Sequence, residues 1–301
     1  MFRDRSGRAG LSDRPGGDDG VVVLGDADTP AVLALCAQDP VANVFVSSRV
    51  SAVGADPARL GGQLWGWCPD GPLRALCWEG ANLVPVLGEG VGEEALDAFA
   101  ARARRSGRRC SSLVGPAGAV LGLWERLQAG WGRAREVRPE QPLMAIDAAP
   151  LLAPDLGVRA TTPADLDVLV PACIAMFTEE VGYSPVGPDG GATYRRRVEE
   201  LVRAGRSFAR IERVDGAAQV VFKAELGAVA PGVVQVQGVW VHPHRRGQGL
   251  AGPGTAAVVQ AARAAGLGTV SLYVNDYNTR AVRAYERVGF ARVGTFATVL
   301  F

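Results

Sequence analysis

The chain has 301 residues, 48% of them hydrophobic, which is enough apolar material for two domains of ordinary size. Its 32 basic and 31 acidic side chains leave a formal charge of +1, so the composition gives no field that would gather nucleic acid or an anionic membrane surface. No apolar run approaches the roughly 20 residues that span a bilayer, and the N-terminus lacks the apolar stretch of a signal peptide. The five cysteines show no CxxC pair and no metal-ligand spacing, and we therefore expect a cytoplasmic protein without a metal site.

The composition and patterns of the first half predict a disordered tail followed by a domain with both helices and strands. Residues 1–20 are rich in Gly, Asp, Arg and Pro, a composition typical of disorder. Asp28 or Thr29 is suited to cap a helix that has Pro30 in its first turn. The patterns that follow Val21 predict strands at 21–25, 62–71, 72–80, 81–87 and 110–115, and helices at 29–37, 93–105 and 119–127.

A proline-rich stretch at 138–155 has no clear period, and we place a domain junction there, near residue 148. This divides the ordered chain into domains at 21–148 and 149–301. The second domain predicts strands at 157–162, 207–214, 218–226, 233–241, 269–274 and 295–301, and helices beginning at Thr162 or Asp165 and at 192–204, 250–265 and 278–288.

The two halves repeat the same order of elements. Trp124-Glu125-Arg126 and Tyr285-Glu286-Arg287 lie 161 residues apart, as do Gly107 and Gly268. In both halves a strand precedes the helix that carries the repeated residues. The repetition indicates a tandem duplication.

The loop between the strand 233–241 and the next helix has the composition of an anion site. Gly247 and Gly249 let the backbone approach an anion and turn its N–H groups toward it. A helix that starts near Leu250 aims the positive end of its dipole at the same point. Such a loop suits a pyrophosphate, with Arg246 to add charge.

These residues resemble the GNAT superfamily of acyl-CoA-dependent N-acetyltransferases. Arg246-x-x-Gly249-x-Ala251 matches the family's R/Q-x-x-G-x-G/A signature, and Asn278-x-x-Ala281-x-x-x-Tyr285 matches its second element. The resemblance is specific over roughly 155–301, and over the whole length the chain looks like two-domain actinobacterial GNAT proteins with an N-terminal domain of unknown function. It implies two GNAT-like α/β domains in tandem, each with a central mixed, mostly antiparallel sheet flanked by helices.

The resemblance also implies a reaction and a set of site residues. The reaction is direct attack of a primary amine, on a small molecule, a peptide N-terminus or a lysine, on the thioester of acetyl-CoA. Tyr285 would protonate the departing thiolate, and Asn278 would lie near the pantetheine arm. Strand 233–241 should separate from its neighbour, so that backbone groups of Val239 and Val241 hold the pantetheine and thioester. The residues that would bind the pyrophosphate are Arg246, Gly247, Gln248, Gly249, Leu250 and Ala251.

Other interpretations compete at the same residues. Gly247-x-Gly249-x-x-Gly252 with Asp276 also fits a dinucleotide-binding fingerprint, although five residues separate this loop from its strand. His242 and His244 lack a third metal ligand and fit solvated loop positions. Tyr285 could also be a core aromatic residue.

The sequence departs from the family at the general base. Many relatives carry Glu where this chain has Gln237, which cannot take a proton. Glu225 on the neighbouring strand, or Glu179 and Glu180, could act directly or through water, and Gln237 could orient the acceptor or a water. An acetyl-CoA-binding sensor or scaffold without turnover is therefore the alternative function.

The first half lacks the cofactor signature. Its corresponding loop, 88–94, has glycines but no arginine, and Glu89, Glu93 and Glu94 would repel a pyrophosphate. Trp124 replaces the tyrosine. We interpret this half as a degenerate GNAT-like domain and expect one acetyl-CoA per chain.

Overall fold

The computed structural model describes residues 20–69 and 71–301. The chain divides into two compact units, of which the first ends at Pro142 and also takes Gly294–Phe301, and the second is Leu143–Val293. Apart from Gly20, the segment predicted to be disordered lies outside the described residues. No helix in the described ranges has the length and apolar character needed to cross a membrane.

The described part of the first unit is a sheet with helices on both faces. Its strands lie in the order β1-β2-β3-β4-β5-β12, with β4 and β5 parallel and the other neighbours antiparallel. Buried side chains of α1 and α2 pack on one face, and those of α4 and α5 on the other. The elements up to the end of this half of the chain are β1 (Val21–Val23), α1 (Thr29–Cys36), α2 (Val44–Val53), α3 (Pro57–Leu60), β2 (Gln63–Trp67), β3 (Ala75–Glu79), β4 (Asn82–Leu87), α4 (Glu93–Ser106), β5 (Ser112–Pro116), α5 (Ala117–Trp131) and β6 (Glu136–Ile146).

The second unit repeats this plan. Its strands lie in the order β6-β11-β10-β9-β8-β7, and β10 with β11 is the one parallel pair among them. Helices α8 and α9 pack on one face, and α6 and α7 on the other. The remaining elements are β7 (Val158–Ala160), α6 (Leu166–Val181), α7 (Ala192–Arg203), β8 (Ser207–Val214), β9 (Ala217–Ala230), β10 (Val233–Val241), α8 (Ala251–Ala264), β11 (Thr269–Tyr273), α9 (Thr279–Val288) and β12 (Ala291–Leu300).

The predicted fold class is confirmed, since each unit is a mixed, mostly antiparallel sheet flanked by helices. Helices α2 and α3 were not predicted, because the run VFVSSRVSAV is rich in β-branched residues that favour strands. Tertiary packing overrides that preference, and Val44, Val46 and Val50 are buried on one face of α2.

The proline-rich stretch in which the domain junction was predicted begins with the strand β6. Its prolines lower the strand preference of 136–142, but Leu143–Ile146 is an apolar run that pairs with β11 from Leu143↔Tyr273 to Ile146↔Val270. The last strand of the chain, β12, pairs with β5 and is part of the first unit. The two units meet inside β6, between Pro142 and Leu143, and the chain returns to the first unit at Gly294, whereas a single junction near residue 148 was predicted from the sequence.

Candidate active site

The cleft begins where β10 and β11 stop pairing. The two strands are in register for three residues only, from Val233↔Thr269 to Gln235↔Ser271. Strand β10 then continues to Val241 and β11 to Tyr273 without further pairing between them. This is the separation that the sequence predicted, and it leaves backbone hydrogen-bonding groups at the open edge.

A β-bulge at Gly238 determines which groups of β10 face this opening. Gln237 pairs with Glu225 and Trp240 with Lys223, so three steps along β10 match two along β9. Gly238 has φ +58°, which favours glycine. Beyond the bulge, Val239 packs on the α8–α9 face together with Val236, although the two are an odd number of positions apart and would face opposite sides of a regular strand.

The pairing pattern fixes the direction of the backbone groups. The amide of His242 donates to Val221 O at 3.0 Å, and Trp240 pairs with Lys223 two residues back along each strand. In an antiparallel ladder this alternation directs the groups of Trp240 toward β9. The N–H and C=O groups of Val239 and Val241 therefore point to the opposite edge, where the cleft opens.

The glycine loop presents free amides next to this edge. Gly247 has φ +77° and Gly249 φ +81°, and added Cβ atoms would meet nothing within 4 Å. Glycine is thus required there by backbone conformation rather than by crowding. Within the described residues, the amides of 247–252 donate no hydrogen bond to the protein, and α8 begins among them at Ala251. Unbonded amides at the positive end of a helix are suited to bind an anion.

Close packing holds α8 against the sheet. A Cβ at Gly254 would lie 2.7 Å from the ring of Phe222 on β9, and one at Gly252 would lie 2.8 Å from Leu152. Helix α8 can approach the sheet this closely because both positions lack a side chain. The orientation of its N-terminus is therefore fixed by the core.

Arg246 lies beside the loop but is already paired. Its Nε donates to Val241 O at 3.0 Å, and its guanidinium forms an ion pair with Glu179 at 2.5 Å. Glu179 also accepts a bond from Trp240 Nε1 at 3.3 Å. Both charged side chains are more than two-fifths exposed, at 46% and 43%, and exposed ion pairs are weak. A phosphate could therefore displace Glu179 from Arg246.

Asn278, as its N-cap residue, and Tyr285 belong to α9, the helix that follows β11. The side chain of Asn278 caps α9 by accepting from Ala281 N at 3.2 Å. Tyr285 is 7% exposed and packs with Phe290 in the core of the α8–α9 face. Burial, and then the charge of Glu180, raise the pKa of Tyr285 well above its usual value. The hydroxyl therefore keeps its proton at neutral pH. It donates no hydrogen bond to a described residue, so this proton is not already shared with another group of the protein.

The candidate bases lie on the α6–α7 face. Gln237 and Glu225 face each other across β10 and β9, and Gln237 Nε2 donates to Gln235 Oε1 at 2.8 Å. Glu225 is paired with Lys223, with 2.6 Å between Oε1 and Nζ, and it also accepts from Cys173 Sγ at 3.6 Å. Glu179 is bonded to Arg246, as described above.

Lys223 was not among the predicted site residues. Its place on β9, between Phe222 and Ala224 of the opposite face, is the signal that it points into the α6–α7 core.

The histidines form no metal centre in the structure. His242 shares a hydrogen bond with Gln219 Nε2 at 3.1 Å, and its Nδ1 accepts from His244 N at 3.4 Å. Across the described ranges, no group of three His, Cys, Asp or Glu side chains could hold a metal ion.

The corresponding loop of the first unit is arranged differently. The amide of Gly88 donates to Arg74 O, that of Glu89 to Gln38 Oε1 and that of Val91 to Gly88 O. Arg126 binds Glu93 and Asp97 at 2.6 Å each, at the start of α4. Three amides of this loop are therefore bonded within the protein, and the N-terminus of α4 carries carboxylates.

Two family models match the chain. The acetyltransferase (GNAT) family model matches residues 193–290, which include the loop, Asn278 and Tyr285. A model described as a domain of unknown function, DUF4081, matches residues 62–169.

Individual relatives give the same assignment. A mycothiol acetyltransferase of Thermobispora bispora is 32% identical over 211 residues, covering 62% of this chain and 67% of the relative. A GNAT acetyltransferase structure from Sphaerobacter thermophilus has a TM-score of 0.57 at 19% identity, covering 93% of this chain and 94% of the other. A tandem GNAT protein from the clavulanic acid biosynthesis pathway has a TM-score of 0.54 at 14% identity, covering 92% and 97%. At these identities the two structures show likeness of fold alone.

Proposed function

This chain belongs to the GNAT family of acetyltransferases, and we propose that it transfers the acetyl group of acetyl-CoA to a primary amine within a ternary complex. The observation that carries the proposal is the combination of separated strands with a row of unbonded amides. The opening between β10 and β11 offers backbone groups of Val239 and Val241, and the loop 246–251 lies where β10 ends.

The residues of this site fit acetyl-CoA from one end to the other. Amides of 247–252 and the dipole of α8 suit the pyrophosphate, and Arg246 adds a cation once Glu179 is displaced. The open edge of β10 supplies hydrogen-bonding groups for an extended amide-containing arm. Asn278, which caps α9 after β11, is our proposed contact for the pantetheine arm.

The reaction needs a proton removed at one place and delivered at another. The amine nitrogen attacks the thioester carbonyl carbon, the C–S bond breaks, and the sulfur leaves as a thiolate that must be protonated. Tyr285 is our proposed donor of that proton, since its hydroxyl carries a proton at neutral pH. The proton lost by the amine passes to a carboxylate or to water.

Glu225 is our proposed acceptor of that proton, directly or through a water. Glu225 lies opposite Gln237, and Gln237 stands where the family resemblance predicts a glutamate. The side chain of Glu225 is 14% exposed. Gln237 would then orient the amine or the water through its amide.

The acceptor is proposed to be a small-molecule amine in the first instance, following the name of the mycothiol acetyltransferase relative. Peptide N-termini and lysine side chains form the second panel. We further propose that the protein acts in the cytoplasm, in keeping with its five free cysteines in the described residues.

The test combines binding with turnover. Calorimetry should show acetyl-CoA binding to the full chain, and a thiol-release assay over amine panels should show turnover with at least one amine. Absence of acetyl-CoA binding would refute the proposal. Binding without turnover on any small amine, peptide or lysate fraction would instead favour a sensor or scaffold, the alternative that Gln237 supports.

A further inference from the structure

Lys223 is the only lysine in a chain that otherwise uses arginine for its basic side chains. It lies on β9, and its side chain is 0% exposed. An ammonium is rarely buried completely, because it loses its hydration unless close partners replace the water. The partners of Lys223 therefore indicate why a cation is kept at this place.

The ammonium of Lys223 bridges two oxygens. It donates to the backbone oxygen of Gly238 at 3.1 Å and forms an ion pair with Glu225 at 2.6 Å. Burial acts to lower the pKa of Lys223, but the charge of Glu225 and the neighbouring Cys173 outweigh it and the pKa is raised. The side chain is thus a cation at neutral pH.

The carbonyl that Lys223 binds belongs to the bulge of β10. In a trans peptide the C=O and the following N–H point in opposite directions. Gly238 O is directed toward the ammonium of Lys223, so the N–H of Val239 points away from that ammonium. This agrees with the strand pairing, which directs the groups of Val239 to the open edge between β10 and β11.

We propose that Lys223 is a positioning residue for acetyl transfer: its ammonium fixes and polarises the Gly238–Val239 peptide so that the Val239 N–H binds the thioester carbonyl oxygen. The proposal rests on the function proposed above. A hydrogen bond from a cation is stronger than one between neutral groups, and hydrogen bonds that share a peptide polarise one another. A donor held in place before negative charge develops on the carbonyl oxygen stabilises the transition state.

The surroundings explain why lysine is used here rather than arginine. A Cβ at Gly238 would already lie 3.0 Å from Lys223 Nζ, so the space is tight. An ammonium is a compact charge with three donors, whereas a guanidinium is a wide plane. Glu225 balances the charge, because a buried cation without a partner would destabilise the fold.

The first test uses the wild-type chain and the uniqueness of this lysine. Protein labelled with nitrogen-15 at lysine Nζ gives a single side-chain resonance, which belongs to Lys223. We expect this resonance to shift more with acetyl-CoA than with CoA, since CoA lacks the thioester carbonyl. Equal shifts with the two ligands would overturn the proposal.

The second test reads the thioester itself, with no amine present. Infrared spectra of acetyl-CoA carrying carbon-13 at the thioester carbonyl should show a shift to lower wavenumber on binding. The shift should persist in Glu225→Gln, which keeps Lys223, and most of it should be lost in the double variant Lys223→Met/Glu225→Gln, which removes both charges. Arg210→Met, which breaks a different ion pair on β8, is the control for loss of stability and should keep the shift.

These outcomes separate the two proposals. If calorimetry detects no acetyl-CoA binding by the wild type, the proposed function fails, and the role of Lys223 fails with it. If acetyl-CoA binds but its carbonyl is unshifted, or is shifted equally in the double variant, only the role of Lys223 is overturned. If the double variant does not fold, the nitrogen-15 comparison of acetyl-CoA with CoA decides.

Discussion

Gln237 and Glu225 lie directly opposite each other on β10 and β9, one step before the bulge at Gly238. Side chains that face each other in this way share one face of the sheet and are within reach of one substrate. The amide of Gln237 can orient a polar group but cannot take its proton. In the function we propose, Gln237 positions the substrate and Glu225 takes its proton.

Replacing Glu225 by Gln should lower turnover by about 10² or more, which is the usual effect of removing a general base. Acetyl-CoA affinity should be kept, because the pyrophosphate loop is unchanged. Gln237→Leu is the matched control and should have a smaller effect, since it removes an orienting group only. Steady-state kinetics checks both, and wild-type turnover by Glu225→Gln with chemistry rate-limiting would exclude Glu225 as the base.

Replacing Arg246 by Ala, or Gly249 by Val, should weaken acetyl-CoA binding by at least about tenfold, roughly 1.4 kcal/mol. Arg246 supplies charge, and Gly249 has a φ of +81° that valine rarely adopts. Calorimetry measures the change. Arg245→Ala serves as the control, because Arg245 is engaged with Glu212 at 2.6 Å. Unchanged affinity in both site variants would contradict the pyrophosphate assignment.

Glu179→Gln tests the competition for Arg246. The variant should bind acetyl-CoA up to about fivefold more tightly, because an exposed ion pair contributes up to about 1 kcal/mol that the ligand must displace. The same titration at several salt concentrations should show the gain shrinking as salt screens the pair. Weaker binding by Glu179→Gln would show that the carboxylate supports the site.

Replacing Tyr285 by Phe should lower turnover by about 10² or more while sparing acetyl-CoA affinity, because it removes a proton donor that acts late in the reaction. The exposed Tyr277 offers a matched Tyr→Phe control. Single-turnover kinetics distinguishes the chemical step from product release. If Tyr285→Phe retains the wild-type chemical rate, Tyr285 is a core residue only.

The full chain should bind one acetyl-CoA. In the first unit, amides of Gly88, Glu89 and Val91 are already bonded, and each carboxylate near the loop would cost a pyrophosphate at about 6 Å on the order of 1 to 3 kcal/mol. Calorimetry should give a ratio near one for the wild type and no site of wild-type affinity in Gly249→Val. A ratio near two would show that the first unit binds a second cofactor.

The sequence alone determined the parts of the site that depend on neighbouring residues. The glycines at 247 and 249, the helix that starts at Ala251 and the cap at Asn278 are each set by local backbone preference. The spacing of Arg246, Gly249, Ala251 and Tyr285 was enough to identify the family. The resemblance to that family then implied the mixed sheet of each unit.

The tertiary structure decided what depends on residues far apart in the chain. Arg246 forms an ion pair with Glu179, which is 67 positions away in the sequence. Lys223 donates a hydrogen bond to Gly238, which is 15 positions away, because β9 and β10 are antiparallel neighbours. The pairing of β6 with β11 and of β12 with β5 likewise depends on contacts between distant segments. Pro139 and Pro142 lower the local strand preference of β6, so its sequence pattern did not predict a strand. Local preferences act over a few residues, whereas strand register, bulges and buried ion pairs are set by packing between distant segments.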